Sequence, residues 1–352
     1  LRKINIILAL LFLFVPEIVV SAPSPTAASI SGGVLTIAGT AFGSKTLGAP
    51  LRYDDFEDGT LGTRIPSAQD TGGWYTEVSG FPYYSNTVQR VSGTQSARQE
   101  YITDEGCGIM LDNAKTTGGI PDGTTELYVS GWFWMETWDN DSRNVKIINM
   151  GTGDGWQTRI DTYPDSDTGH MYAHISSTCA DTATYDHDYA ATPAAVLKPD
   201  QSWHRIETYL KIGSSGYRDL YIDGVKIAEI SGTFGGSSCD IGYLYIGHYF
   251  AIDTYTPSPK GRRYWDELYV DVTRARVEIS DSPTWGGATH KEIQIPTAWA
   301  SSEITATLNR GSLTGDIYAY VIDSDGLVNS DGIAVTDASV IGLGTVLLGV
   351  QQ

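Results

Sequence analysis

Trp203-His204-Arg205-Ile206-Glu207-Thr208-Tyr209-Leu210-Lys211, a Gly-Ser turn, and then Asp219-Leu220-Tyr221-Ile222-Asp223-Gly224 are the residues that decide the fold class. Ile206, Leu210 and Ile212 alternate with Arg205, Glu207, Tyr209 and Lys211, the period of two expected when one face of an antiparallel strand is buried and the other is not. Asp223-Gly224 is a hairpin signal, because the turn needs a residue that accepts positive φ.

Working outward, the same alternation recurs along the middle of the chain. One face collects Phe133, Met135, Val145, Ile147, Met171, Ala173, Ile175, Leu244 and Ile246, and is read as core. The opposite face collects Trp132, Trp134 and Glu136, then Lys146, then Gln157, Arg159 and Asp161, then Tyr172 and His174, and finally Tyr245, Gly247 and Tyr249. It is polar but crowded with aromatics, which a merely solvated face does not need.

Composition agrees: 39 Gly, 21 Tyr and 9 Trp with only 18% charged residues describe many short strands joined by tight turns. The formal charge of −19 repels polyphosphates at long range and so argues against a nucleic-acid partner. The same mean field disfavours sulfated and uronic-acid polymers, unless a local basic groove overrules it.

Arg2 and Lys3 precede an apolar run from Ile6 to Val20, and Val20-Ser21-Ala22 carries the small residues of a cleavage site, so residues 1–22 are expected to be a signal peptide and the mature chain secreted or at a cell surface, without a membrane anchor. An uncleaved anchor is the competing reading, but Pro16 and Glu17 interrupt the run. Three cysteines in an exported chain allow one disulfide, and Cys179 with Cys239, both in Ser-rich loops after strands, is the expected pair.

Val34-Leu35-Thr36-Ile37-Ala38-Gly39 followed by Phe42-Gly43 resembles the opening of an IPT/TIG immunoglobulin-like module. The further strands such a module needs come only at 275–279, 292–295, 304–307 and 317–322. The expected layout is therefore a sandwich over residues 51–271 inserted into an Ig-like module built from 23–50 and 272–352, with an N-terminal stub and an independent C-terminal module as the alternative. The apolar run Val340 to Val350 is suited to finish a sheet or to dock on a second copy.

Asp55-Phe56-Glu57-Asp58-Gly59, the hairpin quoted above, Tyr245-Ile246-Gly247-His248-Tyr249 and Trp265-Asp266-Glu267-Leu268-Tyr269-Val270 together resemble the concanavalin A-like jelly rolls of laminin-G-like and polysaccharide-lyase-like proteins. The resemblance implies an all-β sandwich and an extracellular polysaccharide as partner. In lyases of this architecture a Lys and a catalytic Tyr flank the glycine; Tyr249 fits the tyrosine position, while Tyr245 stands where the lysine would be. The Glu-x-Asp-x-x-Glu strand of laminarinase-like hydrolases is missing, since Glu136-Thr137-Trp138-Asp139-Asn140-Asp141 has acids at other spacings. The resemblance also implies a structural Ca²⁺ on Asp55, Glu57, the Gly59 carbonyl and Asp266, and no organic cofactor.

Sugar rings present apolar C–H faces and a rim of hydroxyls, so they are held by flat aromatics beside charged or amide groups. Trp132, Trp134, Gln157, Tyr172, Tyr209, Lys211 and Tyr245 are the candidate carbohydrate contacts. Tyr249, His174, Arg159 and Glu207 are the candidate catalytic residues: His174 or Tyr249 as base or acid, and Arg159 or Lys211 on a substrate carboxylate, for elimination. Glu136, Glu207 and Asp161 are the carboxylates that hydrolysis would call upon. Whether the chain is an enzyme is left open by its residues, and a non-catalytic adhesion or filament component is the alternative.

Overall fold

The computed structural model describes residues 21–65, 74–76, 82–90, 93–99, 109–112, 119–135, 142–151, 157–163, 170–176, 187–190, 201–234, 239–252 and 262–337. Among them every regular element is a strand except one 3₁₀ turn at Trp285–Gly287, so the all-β expectation is met. The expected signal peptide and Val340 to Val350 lie outside the described residues, apart from Ser21 and Ala22. No helix among the described residues is long and apolar enough to cross a membrane.

The larger body is a jelly-roll type sandwich of two antiparallel sheets. A seven-stranded sheet runs in the order His187–Ala190, His170–Ser176, Gln157–Tyr163, Ser142–Gly151, Tyr243–Ile252, Ile109–Asp112, Tyr75–Thr76. Facing it, an eight-stranded sheet runs Val225–Phe234, Gly213–Ile222, His204–Lys211, Glu126–Met135, Arg263–Asp271, Ser96–Gln99, Tyr83–Ser85, with Arg52–Asp54 also paired to Arg263–Asp271. The alternating apolar residues meet between the sheets: Leu127, Phe133, Ile206, Leu210 and Trp265 from one side pack with Ile109, Ile148, Met150, Leu244 and Ile246 from the other.

A smaller body is built from both ends of the described chain. Its strands run Lys291–Ile293, Arg276–Ser280, Tyr318–Ile322, Ile333–Asp337, Ser24–Ser31, Val34–Thr40, Glu303–Thr307, Ile295–Trp299. Ser24–Ser31 lies parallel to Ile333–Asp337, with Ala28 opposite Val335. Ile30, Ile37 and Ile304 from one half of this sheet share a core with Val277, Ile279 and Val321 from the other, so the two halves face each other.

The smaller body covers the outer face of the eight-stranded sheet through a buried ionic lattice. Arg205 donates to Glu278 across the junction at 3.0 Å and to Glu207 on its own strand at 3.1 Å, and the Tyr128 hydroxyl donates to Glu207 at 2.6 Å. Arg276 donates to Glu278 at 2.7 Å and stacks over Tyr128. Arg90 bridges Glu267 of the larger body and Glu292 of the smaller, and Lys45 pairs with Asp271 at 2.6 Å. Tyr53, Tyr128, Tyr209 and Tyr269 pack around these charges against Ile293 and Ile295. Burial alone would raise the Glu278 carboxyl, but Arg205 and Arg276 outweigh it and hold it below the ordinary carboxylate range. Burial lifts Asp271 to about 6 despite Lys45, which pulls it down.

Removing one partner of such a lattice strands a buried charge, at a cost of about 3–5 kcal/mol. Arg205→Ala is expected to lower unfolding free energy by roughly that amount in urea titrations at pH 7. A pH series should separate the two carboxylates. The Asp271 contribution grows as pH falls through 6 toward 3.8, because its folded pKa is raised. The Glu278 contribution is present above 4.5 and lost below it, because its folded pKa is depressed. Stability should therefore rise slightly from pH 7 to about 5 and fall on further acidification.

Candidate functional site on the seven-stranded sheet

With one sheet face covered, the outer face of the seven-stranded sheet is where the remaining expected residues gather. Strand register sets them in rows. Tyr245 pairs with Asn149, Asn149 with Arg159, Arg159 with His174 and His174 with Asp188. The next row is Tyr249, Lys146, Asp161 and Tyr172. On the other side, Tyr243, Gly151, Gln157 and Ser176 form a third. Paired residues share a face, and these rows lie opposite Leu244, Ile246, Ile148 and Met150, which are buried in the core.

Lys146 and Asn149 are three residues apart, a spacing that would put them on opposite faces of a regular strand. They share a face because the register slips at Ile147: Ile160 pairs with Ile148, but Asp161 pairs with Lys146. The partner strand compensates with Gly247 and His248 between Ile246, opposite Ile148, and Tyr249, opposite Lys146. Gly247 has φ +71°, and a Cβ there would stand 1.9 Å from Gln99 Oε1. Gln99 comes from the other sheet, donates to the Ile246 carbonyl at 2.9 Å and accepts from Trp265 Nε1 at 3.0 Å. This buried amide thus fixes the bulge that brings Tyr249 beside Lys146. The Asn149 side chain is buried with Oδ1 accepting no hydrogen bond among the described residues, while Tyr243 and Tyr245 meet edge to face at 5.0 Å.

The remaining candidates are elsewhere, and the expectation of one shared face is corrected. Trp132, Trp134, Glu207, Tyr209 and Lys211 belong to the eight-stranded sheet. Glu207 is buried in the ionic lattice; Tyr209 is buried and donates to Glu126 at 2.8 Å, which also pairs with Lys211. Trp132 lies under the Arg90 guanidinium at 3.9 Å, and Trp134 packs edge-on against Tyr264. The physical reason is that alternation distinguishes inside from outside on each strand, but not which sheet the outside belongs to.

Two of the expected calcium ligands already accept hydrogen bonds from the protein. Both Glu57 carboxylate oxygens accept from Thr94 and Gln95, and the Gly59 carbonyl accepts from the Gln95 amide. Asp266 Oδ2 is buried without a hydrogen bond, and burial, then Glu267, raise its carboxyl well above the ordinary range despite Arg90, with Asp55 adding further. Among the described residues no three His, Cys, Asp or Glu side chains converge on a metal position. Cys239 is disulfide-bonded; Cys107 and Cys179, from which its partner must come, lie outside the described residues. So does Glu136.

Lys146 as a site residue, Asn149 and Gln99 escaped the reading of the sequence. The available signal was the apolar pair Ile147-Ile148, which breaks the alternation where a bulge is needed.

No family model and no curated protein matches the chain. Solved structures similar to it include the endo-β-1,4-glucuronan lyase of the fungus Trichoderma reesei, 17% identical over 63% of this chain and 95% of that one, TM-score 0.41. The alginate lyase vAL-1 of a Chlorella virus is 13% identical over 59% and 99%, TM-score 0.41. The alginate lyase Aly36B bound to an alginate trisaccharide is 14% identical over 62% and 96%, TM-score 0.43. At these identities and overlaps the likeness does not reach residue roles.

Gly247→Ala should destabilise the protein by at least about 1–3 kcal/mol, since the substitution combines left-handed strain with a clash against a buried amide. Pairing it with Gln99→Ala, which removes the clash but not the strain, should restore part of the loss in thermal unfolding; no recovery would mean that Gln99 does not key the bulge.

Proposed function

We propose that this is an exported carbohydrate-active protein that binds an acidic polysaccharide across the seven-stranded sheet and cleaves it by β-elimination. The observation that carries the reading is the register that gathers Tyr249, Lys146, Asn149, Arg159 and His174 into two adjacent rows. On a chain of net charge −19, Lys146, Arg159 and His174 concentrate basic character where the mean field would otherwise repel a polyuronate.

Elimination from a uronate removes the C5 proton, forms the C4=C5 double bond and expels the C4 oxygen, which must be protonated. Arg159 and Asn149 are assigned to the carboxylate, whose charge grows as C5 is deprotonated. Tyr249 and His174 are assigned to the two proton transfers, and Lys146 occupies the position paired with Tyr249. Gln157, Tyr172 and Tyr245 are assigned to neighbouring sugar rings. Hydrolysis is the weaker reading because two of its carboxylates, Glu207 and Asp161, sit on opposite sheets. The smaller body is read as an immunoglobulin-like module that walls off the other sheet.

Incubation with polyuronates and with neutral glucans, read by ultraviolet absorbance and by reducing ends, tests this. Ultraviolet-absorbing products are expected from polyuronates alone, with Tyr249→Phe and Arg159→Ala each lowering kcat/KM about 10²–10⁴-fold. Reducing ends without absorbance would make the protein a hydrolase. Retention on the polymer with no product would make it a binding module.

A further inference from the structure

We infer that the junction between the two bodies holds a second carbohydrate site, a pocket for a single carboxylate-bearing sugar ring on the opposite side of the larger sandwich from the proposed groove. This rests on the proposed preference for acidic glycans. A cavity of about 250 Å³ opens there, walled by Trp132, Trp203, His204 and Asp223 of the larger body and by His290 and Lys291 of the smaller. It is smaller than the roughly 300–1,000 Å³ of clefts that enclose drug-sized ligands, so it suits one ring rather than a chain.

Most charges around it are already matched. Glu207 accepts from Tyr128 and Arg205, and Arg205 is shared between Glu207 and Glu278. Asp223 accepts from the Arg205 amide at 2.8 Å and pairs with His204 at 2.7 Å. His290 meets Glu292 at 2.6 Å and Ser312 at 3.1 Å.

Lys291 differs from these groups. No carboxylate pairs with its ammonium among the described residues, and the ammonium stands over the Trp285 ring, 4.5 Å from its centre. The ammonium lies over Gly224, the turn residue with φ +76°, in ordinary van der Waals range of where a Cβ would stand, 3.5 Å away. Trp203 is half-buried and its indole N–H is bound to the Gln89 carbonyl, which anchors one edge and leaves the ring as an apolar wall. An aromatic wall and a lysine with no carboxylate partner among the described residues line the same cavity, which suits the two features of a uronate, an apolar ring face and a carboxylate.

A polymer long enough to reach both sites would gain avidity that short oligomers lack. Lys291→Met and Trp203→Ala are therefore expected to raise KM for long polyuronate about tenfold while leaving kcat/KM for a short oligomer unchanged. Lys291→Met keeps the backbone carbonyl that accepts from Arg205, so the junction is retained. Binding is read directly by titrating glucuronate, and glucose as the neutral control, into full-length protein carrying Arg159→Ala to silence the groove. Glucuronate should bind at least tenfold more tightly than glucose, and Lys291→Met should erase the difference. Identical isotherms with and without Lys291→Met would overturn the pocket while leaving the groove reading intact. Glucuronate binding that responds to Lys291→Met in a protein that cleaves no polyuronate would remove the proposed catalysis and keep the pocket.

Discussion

The guanidinium of Arg205 is the interaction on which the arrangement turns. It is buried between Glu207 on its own strand and Glu278 on the smaller body, so its full set of partners is in place when the two bodies meet in one register. Arg276, Arg90 and Lys45 repeat the pattern around it. Such lattices are poor sources of net stability but severe on misalignment, because any displacement leaves a buried charge without its partner. The docked body therefore closes the outer face of the eight-stranded sheet of the larger sandwich.

On the outer face of the seven-stranded sheet, the grouping of residues in the proposed site depends on two irregularities rather than on regular strand geometry. Adjacent strands lie about 4.8 Å apart, so a four-residue row spans about 15 Å, enough for several sugar rings. Without the slip at Ile147, Lys146 would sit on the face opposite Asn149; without the extra residue at Gly247, Tyr249 would lose its place opposite Lys146. Gln99 ties this local geometry to the opposite sheet through Trp265, making the site's alignment a property of the packed core.

Strand content was legible from alternation. Ile206, Leu210, Leu244 and Ile246 are core in the structure as in the pattern, because burial on one face imposes a period of two. The partition between sheets was not legible. Arg205, Glu207, Tyr209 and Lys211 have the same polar-aromatic character as Arg159, Asp161, Tyr172 and His174, yet one set belongs to the sheet that meets the neighbouring body and the other to the opposite sheet. A docking face that buries ion pairs and a face of the kind proposed here for a charged sugar need similar side chains. Bulges were hidden for a related reason, since a one-residue slip leaves composition untouched and changes only which neighbours meet.

The parallel pairing of Ser24–Ser31 with Ile333–Asp337, where Thr336 donates to the Ala28 carbonyl at 3.1 Å, joins segments made at very different times. At about 5–20 residues per second, synthesis leaves the early hairpin waiting on the order of 15 s to a minute for its partner. The larger sandwich, encoded between them, can close first. Assembly then proceeds from the middle of the chain outward, and the early hairpin must keep its open edge out of wrong pairings until the late strands arrive.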